Sequence, residues 1–427
     1  MHLYEIPLIC VLAGLVLYAV LGGADFGAGL WQMATLLGPR DGQDAQRRAR
    51  RIREHAHHSM GPVWEANHVW LIFVLTVSWT AYPAAFGAIA STLILPLFIA
   101  GLGIVFRGAA YALRAGSDKA SELGAIDTIF SLSSLLTPFA LGAMVGAIAS
   151  ERVPTGNAAG AMLGSWLNPT SALVGVLAVA VCAYLAACYL AADAARHRDA
   201  ELVAQFRVRA LLAGTVAGAI ALAGLVVLHS DAHRIYTRLL EGPGLPGLVV
   251  SLLAGVATLA LVAARRFELA RVSAALAVAG TIAGWALAQQ PRLLAHLTIA
   301  QAAAPRETLI ALLAAIGVGA AILFPSLGLL FGLFLRGGFD EGGEPSPAAA
   351  VASPRALLSA SSAGLHARLS LAGLVGGLGL LTAAEAPWAH AVGVVCLFGC
   401  MIFAFLAVDP TELAAAGDRT EDASEPR

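Results

Sequence analysis

The chain has 427 residues, of which 59% are hydrophobic and only 12% charged, with a formal net charge of −1. A water-soluble domain carries about 25% charged residues, so this composition leaves no polar coat for a soluble fold and points to a body facing lipid. The near balance of charge gives no basic surface for nucleic acid, and none is expected as a partner.

Apolar runs long enough to cross a bilayer, about 20 residues each, lie at 6–37, 62–82, 84–113, 121–149, 169–192, 210–229, 247–264, 272–290 and 307–335. The N-terminus lacks the basic start of a cleaved signal, so the first run is read as a membrane helix. These runs predict an all-α polytopic core over 1–336. A Gly-, Pro- and Glu-containing stretch, 337–366, is too poor in large apolar groups to pack and predicts a linker on the inner side of the membrane. Beyond it, 367–408 predicts a further helix pair in the membrane, and 409–427 a polar tail.

Orientation is read from the basic residues, because positive loops resist translocation. With the N-terminus outside, twenty of the 26 basic residues fall on the inner side, Arg47 to Arg53 chief among them, and five on the outer side. The C-terminus is then cytoplasmic. The five cysteines all lie in apolar runs without metal or redox spacing and read as buried thiols.

Charged groups inside a bilayer cost about 2.5–3.5 kcal/mol on insertion scales, so they are functional candidates. Asp25, Glu65, Arg107 and Asp127 stand in the first four spans, all in the inner half at about 1.5 Å of rise per residue. This depth arithmetic sets Arg107 level with Glu65 or Asp127 as its charge partner, with Asp25 one layer deeper. A packing cluster and a proton-entry path through Asp25, Glu65 and Asp127 both fit such a set. His68 is the one histidine well inside a span on the inner side, with no counterpart for a bis-histidine haem. His55, His57 and His58, in the basic inner loop, read as a solvated or headgroup-facing group, since no carboxylate or cysteine completes a metal set. Gly22, Gly23, Gly27 and Gly29 allow close helix approach in the first span. Nucleotide-binding and hydrolase motifs are missing from the sequence.

Five segments, in order, carry a family resemblance: GGADFGAGLW from Gly22, GPVWEANHVWLI from Gly61 (with Trp64, Asn67 and Trp70), FRGAAYALR from Phe106, the run from Asp127 through Ser134, Pro138 and Gly142, and LTIAQAAAPRETL from Leu297. The chain resembles subunit II of the cytochrome bd family of quinol oxidases. That resemblance implies nine helices, arranged as two four-helix units plus a peripheral one, paired with a homologous subunit I. It implies haems b and d on subunit I, quinol oxidised at the outer side, and oxygen reduced to water with inner-side protons. For subunit II it implies no haem, a quinone held in some members, a small accessory subunit as a further partner, and polar residues on a proton path. Asp25 matches the acid of the family's first motif and Arg107 the Arg of FRG. Glu65 stands where Asp is usual, Gly22 where the family has a further Asp, Ala66 where it has Gly, and His68 where Glu or Gln is commoner. The spans beyond 366 lie outside the usual family core. A proton-coupled secondary transporter, with helices interrupted at Pro96, Pro138 and Pro325, is the alternative.

Overall fold

The computed structural model describes residues 2–37, 42–60, 64–114, 120–335, 363–383 and 387–407. They are almost wholly helical, in two compact units, Met1–Leu323 and Phe324–Arg427. The first span is α1 (Ile6–Leu17) and α2 (Gly23–Leu37), joined by a π-helical turn at Tyr18–Gly22. The segment after it is a polar helix, α3 (Gln43–Met60), followed by α4 (Trp64–Ala81). The third predicted span is two helices, α5 (Pro83–Thr92) and α6 (Ile94–Arg114). Proline has no N–H, so Pro96 cannot bond back to Thr92, and the helix breaks at Leu93, before rather than at the proline. Pro138 lies inside α7 (Ala120–Ala149), which continues through it.

Next come α8 (Pro169–Arg196), α9 (Ala200–Asp231), the short α10 (His233–Leu240), α11 (Leu245–Ala263) and α12 (Phe267–Gln289). A small antiparallel hairpin, β1 (Arg292–Leu294) and β2 (Leu297–Thr298), leads into α13 (Ile299–Ala302) and α14 (Arg306–Leu335). In the LTIAQ segment, Thr298 and Gln301 cap α13 reciprocally, each side chain meeting the other's backbone N–H. Among the described residues, eight helical stretches are long and apolar enough to cross a membrane, and α4 adds a shorter apolar run, Asn67–Ala81. The protein is an all-α polytopic membrane protein.

The centre of the first unit is α8, packed by α2, α3, α7, α9 and α12. Its C-terminal half, Cys182 to Ala194, alternates alanines with Leu185 and Leu190 and is nearly all buried. Small side chains let neighbouring backbones close in, which is how membrane helices gain contact where lipid is as apolar as leucine. The closest approach is made by Gly27 of α2, where a Cβ would run into the carbonyl oxygen of Cys182. Asp199 caps α9 by accepting from the Leu202 N–H at 3.1 Å. That bond, then the Arg51 guanidinium, hold its carboxyl below the usual carboxylate range. The cap therefore loses its charge only as pH falls through that lowered value.

The basic segment read as a loop is not a solvated strand of charges. Ile52 and Ala56 of α3 are buried in the α8 core, and His55, its side chain 10% exposed, lies with its ring 5.6 Å from that of Phe206. The reading of His55 as a solvated residue is thus corrected. Ile52, Ala56 and Ser59 recur at helical spacing, so one face of an otherwise charged helix docks on α8. The side chains of His57 and His58 lie outside the described residues.

In the second unit, α15 (Ala363–Ala383) packs on α16 (Pro387–Ala407). Gly373 sits against the Cys396 carbonyl, and Ser370 Oγ donates to the Cys400 carbonyl at 3.0 Å. Nearly all of the linker at 337–366 and the whole tail at 409–427 lie outside the described residues.

Candidate functional site

The site lies where α2, α6 and α7 cross. Asp25 and Arg107 are both wholly buried, and Arg107 Nη2 donates to Asp25 Oδ1 at 2.6 Å and to the Asp25 carbonyl at 2.9 Å. Arg107 Nη1 donates to Ser134 Oγ, which in turn donates to the Phe130 carbonyl at 2.6 Å. The guanidinium carbon lies 4.1 Å from the ring centre of Phe130, 5.0 Å from Phe26 and 5.9 Å from Tyr111. Aromatic faces and a carboxylate together replace the water a guanidinium would otherwise hold. Asp25 Oδ2 is buried and accepts no hydrogen bond among the described residues, which leaves one carboxylate oxygen open to a proton.

The π-helical turn explains how Asp25 reaches this position. One extra residue in the turn at Tyr18–Gly22 rotates everything after it by about 100° relative to an unbroken α-helix. Asn67, buried on α4, donates from Nδ2 to the Leu21 carbonyl within that turn at 3.3 Å. Trp70 is partly buried against the cluster of Tyr18, Phe26 and Leu30. His68 is partly buried, with its ring 6.1 Å from those of Tyr18 and Phe26. Gly23 lies against Leu185 and Gly27 against Cys182. The side chains of Trp64 and Glu65, in the first turn of α4, lie outside the described residues.

The predicted pairing is corrected by this geometry. Arg107 takes Asp25, while Asp127 pairs with Arg114, seven residues closer to the inner end of α6. Depth arithmetic counts each residue from its own helix end and assumes the ends are level. Here α2 has twelve residues beyond Asp25 but α6 only seven beyond Arg107, so the inner end of α2 projects further. Beside the Asp127–Arg114 pair lies a cavity of about 10 Å³, walled by Gln32, Ala110, Tyr111, Arg114, Ile126, Asp127 and Phe130, with room for the centre of one water. Tyr111 and Phe130 thus touch both the cavity and Arg107. Gln32, Tyr111 and Arg114 were not legible as members of the site. Their only signal is that they lie seven residues from Asp25, four from Arg107 and seven from Arg107, on the same helix faces.

The model of the family "Cytochrome bd terminal oxidase subunit II" matches residues 3–334. The chain belongs to that family. Cytochrome bd ubiquinol oxidase subunit 2 of Bacillus subtilis (strain 168) is 30% identical over 143 residues, 33% of this chain and 39% of the relative. That alignment therefore spans well under half of the relative's length. The bd oxidase structure from Geobacillus thermodenitrificans superposes with a TM-score of 0.60 at 25% identity, over 79% of this chain and 99% of that one. In this subunit II the matched region holds the Asp25–Arg107 and Asp127–Arg114 pairs, whereas α15 and α16 lie beyond it.

The family's oxidases use haem, and the described residues of this chain offer it no paired axial ligands. The ring neighbours of His68 are Tyr18 and Phe26, and among the described residues no group of three or more His, Cys, Asp and Glu side chains could hold a metal ion.

Proposed function

We propose that this subunit II pairs with a haem-bearing subunit I in a quinol:oxygen oxidoreductase and carries protons from the inner face toward the oxygen-reducing site. The observation that supports it is a set of neighbouring groups: the Asp127–Arg114 pair, the one-water cavity beside it, and, across the Tyr111 and Phe130 rings that wall this cavity, the buried Asp25–Arg107 pair with an open carboxylate oxygen. Carboxylates spaced through a membrane, each held in place by a guanidinium, are the usual material of a proton relay. Glu65, at the start of α4, belongs to the same path. The haems b and d sit on subunit I, quinol is oxidised there, and a structural quinone and a small accessory subunit complete the assembly within the lipid. The transporter reading is not favoured, since the family match runs through nearly all of the first unit.

Purification of the tagged chain in mild detergent tests the assignment. The expected result is a coloured complex with a haem-bearing partner in equal amount; a colourless monomer or homodimer would return the transporter reading. Stoichiometric haem in preparations free of any partner would overturn the placement of haem on subunit I.

In the bacterial inner membrane the N-terminus lies outside and α3 on the cytoplasmic side, a reading supported by the excess of arginine there. A cysteine at Gln46, on the exposed part of α3, is expected to resist a membrane-impermeant maleimide in intact cells and to react after lysis. Labelling in intact cells reverses the orientation.

A further inference from the structure

A second, wider space opens at the C-terminal ends of α6 and α8, against the middle of α3. It has a volume of about 560 Å³, and its walls include Arg51, Glu54, His55, Arg114, Asp193 and His197. Arg114 also walls the one-water cavity beside Asp127, so the two spaces share that one side chain. On the vestibule wall, Asp193 gathers several protonatable groups. Ser59 Oγ donates to its Oδ2 at 2.5 Å, and His55 Nε2 and His197 Nε2 lie 4.0 Å and 3.9 Å from the same oxygen. His55 Nε2 is also 3.1 Å from the Leu190 carbonyl, an oxygen that can only accept. The proton therefore sits on Nε2, and Nδ1 is the nitrogen that takes or gives another.

The charges facing this cluster come from several elements. Arg196 on α8 approaches Asp193 at 3.6 Å and is shared with Glu268 of α12 at 3.4 Å. Arg51 of α3 is held by Asp199 and Glu201 at the start of α9. Glu54 of α3 is held by Arg50 at 2.6 Å, and Arg114 of α6 by Asp127. The charges of Arg51, Glu54 and Arg114 are thus neutralised by partners of their own, while Asp193 meets the shared Arg196 through Oδ1 and the two imidazoles through Oδ2. A carboxylate within about 4 Å of two imidazole nitrogens, on the wall of a space wide enough for water, is a chain of groups able to hand a proton from one to the next.

We propose that this vestibule is the mouth of the proton path, with Asp193, His55 and His197 as its collecting group and Arg114 as its gate. The inference rests on the path proposed above. A proton from bulk water is taken by the cluster and passes through vestibule water to the Asp127 carboxylate when Arg114 swings its guanidinium outward. Arg114 keeps its own proton throughout, because a guanidinium does not ionise at these pH values. One proton enters, one leaves for Asp127, and the cluster is reset. Arg114 is a positioning residue in this scheme.

The experiment is oxygen consumption by the assembled complex in membranes from pH 6 to pH 9, with haem absorbance of the same membranes as the measure of assembly. Asp193→Asn is expected to keep the parental rate at pH 6, where protons are plentiful, and to fall about tenfold below the parent by pH 8. His197→Gln, at an exposed position, repeats the test with a smaller alkaline loss, and decides the matter should Asp193→Asn fail to assemble. A loss that is equal at pH 6 and pH 8 would make the cluster a tie between α3 and α8 and overturn the proposal. An unchanged pH profile in both variants, with Asp25→Asn still slow, would place the mouth elsewhere and leave the path standing. Normal turnover in Asp25→Asn would remove the path itself.

Discussion

Arg107→Leu is expected to abolish accumulation of the assembled complex. The substitution leaves the Asp25 carboxylate at zero exposure without its cation, and breaking a buried pair from one side costs about 3–5 kcal/mol. It also strips the donor from Ser134 and empties the space between Phe26, Tyr111 and Phe130. Against a total stability of about 5–15 kcal/mol, that is a large fraction. Haem absorbance per milligram of membrane protein reads the outcome, and a parental value would show that the pair does not hold the helices. The double variant Arg107→Leu with Asp25→Leu discriminates further. Removing both charges leaves no buried ion unpaired, so assembly should recover in large part even though proton delivery does not.

Asp25→Asn separates conduction from packing. Asparagine keeps the shape and one acceptor oxygen for Arg107 but cannot carry a proton. If Asp25 conducts, the complex keeps its haem spectrum and its oxygen consumption falls about 10²-fold, the scale of losing a positioned acid–base group. Glu65→Gln should slow turnover in the same way, with a changed pH dependence and intact haems. Loss of haem in either variant would mark that residue as a structural partner alone. Normal turnover in Asp25→Asn would leave it a packing residue.

The spans were legible because crossing a bilayer requires a local property, an unbroken apolar run with its backbone bonds satisfied within the segment. Thus 169–192 and 272–290 appear as α8 and α12, with only their ends displaced. The presence of Asp25, Arg107 and Asp127 within spans was legible for the same reason, since a charge in an apolar run is conspicuous. Which acid meets which arginine was not. That depends on rotation about each helix axis and on how far each helix projects, and neither is written in any single segment.

The sequence by itself therefore determined the class of protein, its membrane segments, the uneven placement of its basic residues and the inventory of buried charge. It also determined the family, through five short motifs whose order runs to the end of the core. The tertiary structure decided the pairing of Asp25 with Arg107 and of Asp127 with Arg114, and the docking of His55 in a helix read as a solvated loop. It decided as well that Arg114 borders both inner spaces. Hydropathy is additive along the chain and survives in the sequence. A π-helical turn that rotates α2, a break at Leu93 and the unequal reach of α2 and α6 act on angles and offsets between helices, which exist only once the helices have packed.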